Sequence, residues 1–336
     1  MKSKALNNVV FIVCLLIFGF IVWRYGVGRL YLNLLKTGYW IIPVVAIWLP
    51  AYLLNAVAFK SIINLYDKRI SFKKVFGIVV SGFSLNYITP FVALGGEIFK
   101  INSLKEELGY TNSVSATVKF YIMHVLSHVV FWLLGFLILG LKITKTANDL
   151  KIAASAVAFV ALLLYLFYLI LNKGAILRLY KLLLRAPMPF ALRRKMYASK
   201  TQVGEIDAEI RNFYLNHRRG FYISLIMNFA ARIVTSFEIL FIVQSIGIEM
   251  KFYQAIYFSS ISSLFLNMLF FIPMQIGARE SVYFLMTGAI GINSSVGVYI
   301  SLISRIREMF WILVGILIIP LTRGTNKINA KELIKE

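Results

Sequence analysis

The sequence predicts an all-α polytopic membrane protein with about six full crossings and two re-entrant helical hairpins in an inverted repeat. Three observations predict it. First, the 336 residues are 60% hydrophobic and 15% charged, with a mean hydropathy of +0.78. A soluble domain is nearer half apolar and a quarter charged, so a soluble enzyme, a disordered chain and a disulfide scaffold are excluded. Second, apolar runs long enough to span a bilayer recur along the chain. Third, two of these runs are broken by proline and glycine at places where charge parity requires a non-crossing element.

In chain order, apolar runs occupy residues 7–23, 39–59, 75–94, 113–141, 152–171, 221–246, 254–272 and 294–320. The first follows Lys2 and Lys4, contains the lone Cys14, and meets Trp23-Arg24-Tyr25 where a cleavage site would need small residues. It reads as an uncleaved signal anchor. One cysteine forms no disulfide and no thiolate metal site. Residues 60–74 carry five basic and one acidic side chains, and 172–219 carry 11 and three. Both segments are expected on the cytoplasmic side, as is the basic tail 321–336. The overall excess, 36 basic against 14 acidic residues, then belongs to loops facing anionic head groups. No recognisable nucleic-acid module accompanies it, and no nucleic-acid partner is expected.

An even number of crossings must separate two cytoplasmic segments, yet three runs lie between 60–74 and 172–219. The run interrupted by Pro90, Gly95 and Gly96 is the one expected not to cross. The same parity applies between 172–219 and the tail, where Pro273 and Gly277 interrupt the second half. The two breaks resemble each other. Each follows a Leu-Asn pair, at Asn86 and Asn267. Each has a glutamate seven residues after its proline, Glu97 and Glu280, and the prolines are 183 residues apart. The expected organisation is a single membrane domain, 1–336. A first half of about 1–171 holds re-entrant element 75–104. A basic linker, 172–220, follows, and a second half, 221–320, holds re-entrant element 254–290. Within the linker, Leu177 to Arg185 alternates apolar and basic residues and suits an amphipathic helix on anionic lipid, ended by Pro187 and Pro189.

Ionisable groups inside apolar spans are expensive and therefore candidates for function. They are Glu97 and Lys100 after the first break, Arg232 and Glu238 in 221–246, Arg279 and Glu280 at the second break, and Arg305, Arg307 and Glu308 in the last span. Two roles are open: a polar pathway, in which arginine holds phosphate bidentately and glutamate exchanges a proton, or ion pairs that lock helices. Arg307 and Glu308 are adjacent and are not expected to face one cavity together. His124 and His128 share a helical face but lack the glutamate and third ligand of a zinc site, so packing or a cavity lining is expected, with no metal and no cofactor. Lys119 is expected to snorkel toward the inner interface. Just three aspartates occur, Asp67, Asp149 and Asp207, all in polar segments, and no D-x-D is present.

The stretch Asn86-Tyr-Ile-Thr-Pro90, Gly95-Gly96-Glu97-Ile-Phe-Lys100, Leu104 and Gly109 resembles the first signature of the lysylphosphatidylglycerol synthase transmembrane-region family, the flippase-like domain of the multiple peptide resistance factor. Pro273 to Glu280 is similar to its second signature. Met274 and Gln275 stand where the family often has two glycines, Val92 and Ala93 where a basic residue is common, and Lys100 where arginine is usual. Only residues 321–336 follow the last run, so the aminoacyl-transfer domain has no counterpart there and a stand-alone member is expected. The resemblance implies a translocase for an anionic, aminoacylated, glycosylated or polyprenyl lipid. It favours Glu97, Arg279 and Glu280 in the polar pathway, and Pro90, Gly95, Gly96, Pro273 and Gly277 as shapers of the breaks. A non-enzymatic role is expected, in the cell membrane with both termini cytoplasmic. The alternatives are a component of a lipid-linked sugar transferase and a scaffold for a separate synthase. Membrane lipids are the expected partners, beside a synthase or glycosyltransferase or a second copy of the chain.

Overall fold

The computed structural model describes residues 35–322 except 67, 89–94, 144–146, 174, 186–189, 270–274 and 276, together with 28 and 32. The anchor run 7–23 with Cys14, the residues from 323 on, and Pro90, Pro187, Pro189, Val92, Ala93, Pro273 and Met274 lie outside the described residues. Among the described residues every regular element is a helix and no strand occurs.

The run at 39–59 forms α1 (Ile41–Ala46) and α2 (Trp48–Ile63), parts of one span from Leu35 to Tyr66. Pro43 and Pro50 each stand in the first turn of their helix, where the missing N–H has no intrahelical partner to lose. Next come α3 (Phe72–Ile88), α4 (Gly95–Leu108) and α5 (Tyr110–Ile138), which ends in a π turn at Leu139–Ile143. α6 (Ala147–Lys173), α7 (Ala175–Leu183) and α8 (Phe190–Asn216) follow. The second half is α9 (Arg218–Gln244), α10 (Phe252–Met268), α11 (Ala278–Ala289) and α12 (Ser295–Ile318).

Among the described residues, four helical stretches are long and apolar enough to cross a membrane: Leu35–Tyr66, Tyr110–Leu141, Ala154–Lys173 and Arg218–Gln244. α12 has the length, 24 residues, but carries Arg305, Arg307 and Glu308 in its middle. The helices beside the two breaks are shorter. α3 and α10 have 17 residues each, α4 has 14 and α11 has 12. At 1.5 Å per residue they reach about 26, 26, 21 and 18 Å, short of the roughly 30 Å hydrocarbon core.

The helix contacts pair off across the two halves. α3 packs on α4 and α4 on α5; α10 packs on α11 and α11 on α12. α12 packs on α3, and α5 packs on α10, so each half's broken pair is backed by the other half's long helix. α2 and α9 pack against each other. Two close approaches fix these cross-contacts. A Cβ on Gly135 of α5 would lie 1.9 Å from Ser260 Oγ of α10, and a Cβ on Gly315 of α12 would lie 1.9 Å from Ser84 Oγ of α3. Only glycine lets the backbones come so near, the usual device where lipid offers no hydrophobic drive to bring helices together. Ser81 and Ser84 donate to the carbonyls of Gly315 (2.7 Å) and Trp311 (3.0 Å), and Trp132 Nε1 donates to Ser263 (2.9 Å).

Two main apolar clusters result. Phe59, Ile62, Ile78, Leu104 and Phe120 are buried in one, and Ile242, Val243, Phe258, Ile300 and Ile303 in the other. Leu162 and Leu166 of α6, Leu285 of α11 and Leu317 of α12 remain exposed. Such an apolar exterior is a liability in water and ordinary against lipid. The linker is largely helical. α7 is the amphipathic helix expected there, while the 27-residue α8 was not foreseen. α8 buries Ile210 and Phe213 in the first cluster, and its Glu209 accepts a hydrogen bond from Lys119 Nζ of α5 at 2.7 Å. Lys119 thus ends on a carboxylate of the linker.

Candidate functional site: a charged cavity between the broken helices

A cavity of about 280 Å³ lies among α2, α3, α5, α9, α10, α11 and α12. Its charged wall comes from the second half. Arg307 donates from Nε and Nη2 to Glu238 Oε1 (3.1 and 3.0 Å) and from Nη2 to Oε2 (3.0 Å). Trp48 Nε1 donates to the other side of Glu238 (2.7 Å), and the Arg307 guanidinium stacks 3.8 Å from the Trp48 ring centroid. Arg279 Nη1 donates to Glu308 Oε1 at 2.6 Å, and Arg307 lies 3.8 Å from the same oxygen. Glu238, Arg307, Glu308 and Arg279 therefore form one buried chain of alternating charge joining α9, α12 and α11. Pairing each of these four ions with an opposite charge offsets the cost of burying it.

The first half contributes an uncharged polar wall of Tyr52, Asn55, Tyr87, His124 and His128. The two imidazoles meet edge to face with ring centroids 5.3 Å apart. Asn228 donates from Nδ2 to Ser224 O (2.8 Å), which leaves its Oδ1 to accept from His124 Nδ1 (3.1 Å). Between the walls stands Arg232. Its Nε donates to Ser127 Oγ (2.9 Å) and its Nη2 to the His124 carbonyl (3.0 Å). No carboxylate pairs with it among the described residues.

Both breaks use a glutamate at the start of the returning helix. At α4, Gly96 N–H donates to Asn86 Oδ1 (2.7 Å), and Asn86 Nδ2 (3.4 Å) and Lys100 Nζ (2.8 Å) donate to Glu97 Oε1. Lys100 is buried between the Phe83 and Phe120 rings, 5.3 and 4.9 Å from their centroids. A Cβ on Gly96 would lie 2.0 Å from the Gly82 carbonyl, which is why that position is glycine. At α11, Gly277 has φ +80°, and its N–H donates to Glu280 Oε2 (2.8 Å), a capping contact. Glu280 Oε1 accepts from Arg305 Nη2 (2.7 Å) and Nε (3.0 Å) and from Ser301 (3.0 Å). Gln275 has φ +52°, a left-handed conformation that glycine adopts freely. Its side chain bridges the break, donating to Leu266 O (3.2 Å) and accepting from Arg279 Nη2 (3.2 Å).

The candidate residues thus divide. Arg232, Glu238 and Arg279 line the cavity; Glu97, Lys100, Glu280 and Arg305 do not, and hold the helix starts beside it. Asn86, Gly95, Gly96 and Gly277 stand at those starts. Arg232 and Glu238, on one helix, take separate partners. One expectation is corrected: Arg307 and Glu308 both line the cavity. Adjacent helical positions diverge by only about 100°, so two long side chains straddling the line toward the cavity both reach it. Sequence reasoning also missed Tyr52, Asn55 and Tyr87, whose polar ends sit in otherwise apolar runs. His124 and His128 line the cavity, and among the described residues no group of three or more His, Cys, Asp or Glu side chains comes together.

A UPF0104 membrane protein of Pyrococcus horikoshii is 24% identical over 318 residues, 89% of this chain and 92% of that protein. Residues 8–316, nearly the whole chain, match the family described as the lysylphosphatidylglycerol synthase TM region. The protein is embedded in a membrane, and it belongs to the lysylphosphatidylglycerol synthase transmembrane-region family.

Proposed function

We propose that the protein is a lipid translocase, and that a lipid with an anionic head group passes its polar end through the charged cavity while its acyl chains stay in the bilayer. The observation that carries this reading is the cavity itself: a wet-sized, arginine-bearing space at the meeting of two interrupted helix pairs, in a chain of a lipid-related membrane family. Irregular backbone at membrane depth is tolerated where it lines such a space. The paired helix contacts support an inverted repeat, with 75–104 and 254–290 as re-entrant elements entering from opposite faces. In this reading both termini are cytoplasmic, in the cell membrane, and the basic linker lies on the inner leaflet. Glu280 and Glu97 serve chiefly to hold the broken helix starts, because each is already committed to a cation.

The test is reconstitution of the full chain in liposomes containing fluorescent lipids, with a membrane-impermeant quencher added outside. Protein-dependent quenching of the inner-leaflet pool is expected for a phospholipid. Folded, correctly inserted protein that exposes no lipid of any head-group class would overturn the reading.

A further inference from the structure

We infer that the cavity selects a lipid whose head group bears a single phosphate charge and an otherwise uncharged, hydroxylated remainder, and that Arg232 is the residue that holds the phosphate. The inference rests on the cavity being the cargo path proposed above. It begins from the charges lining the space: Arg232, Arg279 and Arg307 against Glu238 and Glu308. Both carboxylates are committed, Glu238 to Arg307 through two oxygens and Glu308 to Arg279. The histidines are counted neutral, as an unperturbed imidazole mostly is at pH 7. One positive charge, on Arg232, is left without a carboxylate among the described residues.

The geometry of Arg232 suits one phosphate. A guanidinium has five N–H donors. Arg232 uses its Nε–H on Ser127 and one Nη2–H on the His124 carbonyl. Three N–H groups remain, shared between Nη1 and Nη2, which is the edge that grips a phosphate through two oxygens. The contacts to Ser127 and His124, both on α5, hold the group in place before the ligand arrives.

The remaining wall is polar and uncharged. Asn55 Oδ1, His128 Nδ1 and Ser262 Oγ are buried and have no hydrogen-bond partner among the described residues. Asn55 Oδ1 can only accept, so it requires a donor from the ligand. A hydroxyl both donates and accepts and can satisfy all three. A quaternary ammonium donates nothing. A primary ammonium would donate, but with the phosphate already spent on Arg232 its own charge would meet no free carboxylate among the lining residues. An aminoacylated head group is therefore disfavoured in this cavity, although the family takes its description from a synthase of such a lipid.

The experiment is a thermal-shift titration of the detergent-solubilised full chain with four lipids. They are phosphatidylglycerol, its lysyl ester, phosphatidylcholine and an uncharged glycosyl diacylglycerol. Phosphatidylglycerol is expected to bind at least about tenfold more tightly than the other three, because the glycolipid lacks the phosphate, phosphatidylcholine lacks the donor that Asn55 requires, and the lysyl ester brings an ammonium with no free carboxylate. Arg232→Gln is expected to weaken phosphatidylglycerol about tenfold or more and to leave the glycolipid unchanged. Arg232→Lys, which keeps the charge and loses the fork, is expected to fall between. The wild-type head-group series needs no variant to fold. Equal or tighter binding of the lysyl ester, or unchanged affinity in Arg232→Gln, would overturn the inference, as would absence of binding by any phosphodiester lipid. Soluble glycerol phosphate is the control for the source of the anion: stabilisation by it equal to that by the lipid would overturn a lipid as the ligand. Selective binding without leaflet exchange would remove the translocase reading and leave this inference standing.

Discussion

Replacing Arg307 by leucine should destabilise the protein far more than replacing Arg307 and Glu238 together would suggest. The wild-type pair has three contacts of 3.0–3.1 Å, with the guanidinium 3.8 Å from the Trp48 ring centroid. Arg307→Leu leaves Glu238 buried with the Trp48 N–H as its remaining donor. Stranding a buried charge in this way costs about 3–5 kcal/mol. Glu238→Leu leaves Arg307 with Glu308 at 3.8 Å and the Trp48 ring, so its cost should fall near the lower end, about 3 kcal/mol. Independent sites would sum to roughly 6–8 kcal/mol in the double variant. Removing both charges strands neither, and the residual cost is the Trp48 N–H without its acceptor, about 1–3 kcal/mol. The expected coupling energy is thus about 3 kcal/mol or more, at or above the upper range for residues in contact. Denaturant titration in mixed micelles, read by tryptophan fluorescence and extrapolated linearly, measures all three variants on one scale. Additive losses would refute the argument and would mean that the charges are solvated in the folded protein.

Further predictions follow from the same contacts. Gly135→Ala and Gly315→Ala each force a methyl to within 1.9 Å of a serine oxygen and should each cost about 1–3 kcal/mol by overpacking; Ser260→Gly should restore Gly135→Ala, and failure to do so would show that the helices do not meet there. Glu209→Ala leaves Lys119, whose side chain is 4% exposed, with the Tyr66 hydroxyl in place of a carboxylate and should loosen α8 from α5; faster hydrogen exchange across 190–216 would show it, and an unchanged rate would refute the staple. Glu280→Gln removes the charge facing Arg305 and should lower stability by about 1–3 kcal/mol in the same titration; full stability would leave Glu280 free for a proton-transfer role.

Much of this was legible in the sequence because lipid imposes strict rules. Runs of apolar residues, prolines beside glycines and loops rich in lysine and arginine were enough to place α3 with α4 and α10 with α11 around breaks. The buried charges announced themselves by being in the wrong solvent. Their partners did not. Arg232 and Glu238 sit six residues apart on one helix yet face different neighbours, because pairing is decided by which helix lies alongside, α5 at Arg232 and α12 at Glu238. Arg307 and Glu308 were misjudged from helical angle alone, since the reach of a long side chain exceeds the divergence of adjacent Cβ directions. The neutral wall was least visible: Asn55 and Tyr52 are single polar groups in an apolar stretch, with no spacing to mark them.

The two glycine–serine contacts carry a mechanical consequence. Where backbones touch, a helix has no slack to slide. A slide of one turn, about 5.4 Å, would bring the side chains of Phe131 or Leu139 against Ser260, and those of Trp311 or Ile319 against Ser84. Each contact is a keyway that opposes sliding of one helix along the other. Two such keyways stand on the lines where α5 meets α10 and α12 meets α3, each joining one half to the other. Any relative movement of the two halves must keep both lines of contact in register or meet that crowding at each.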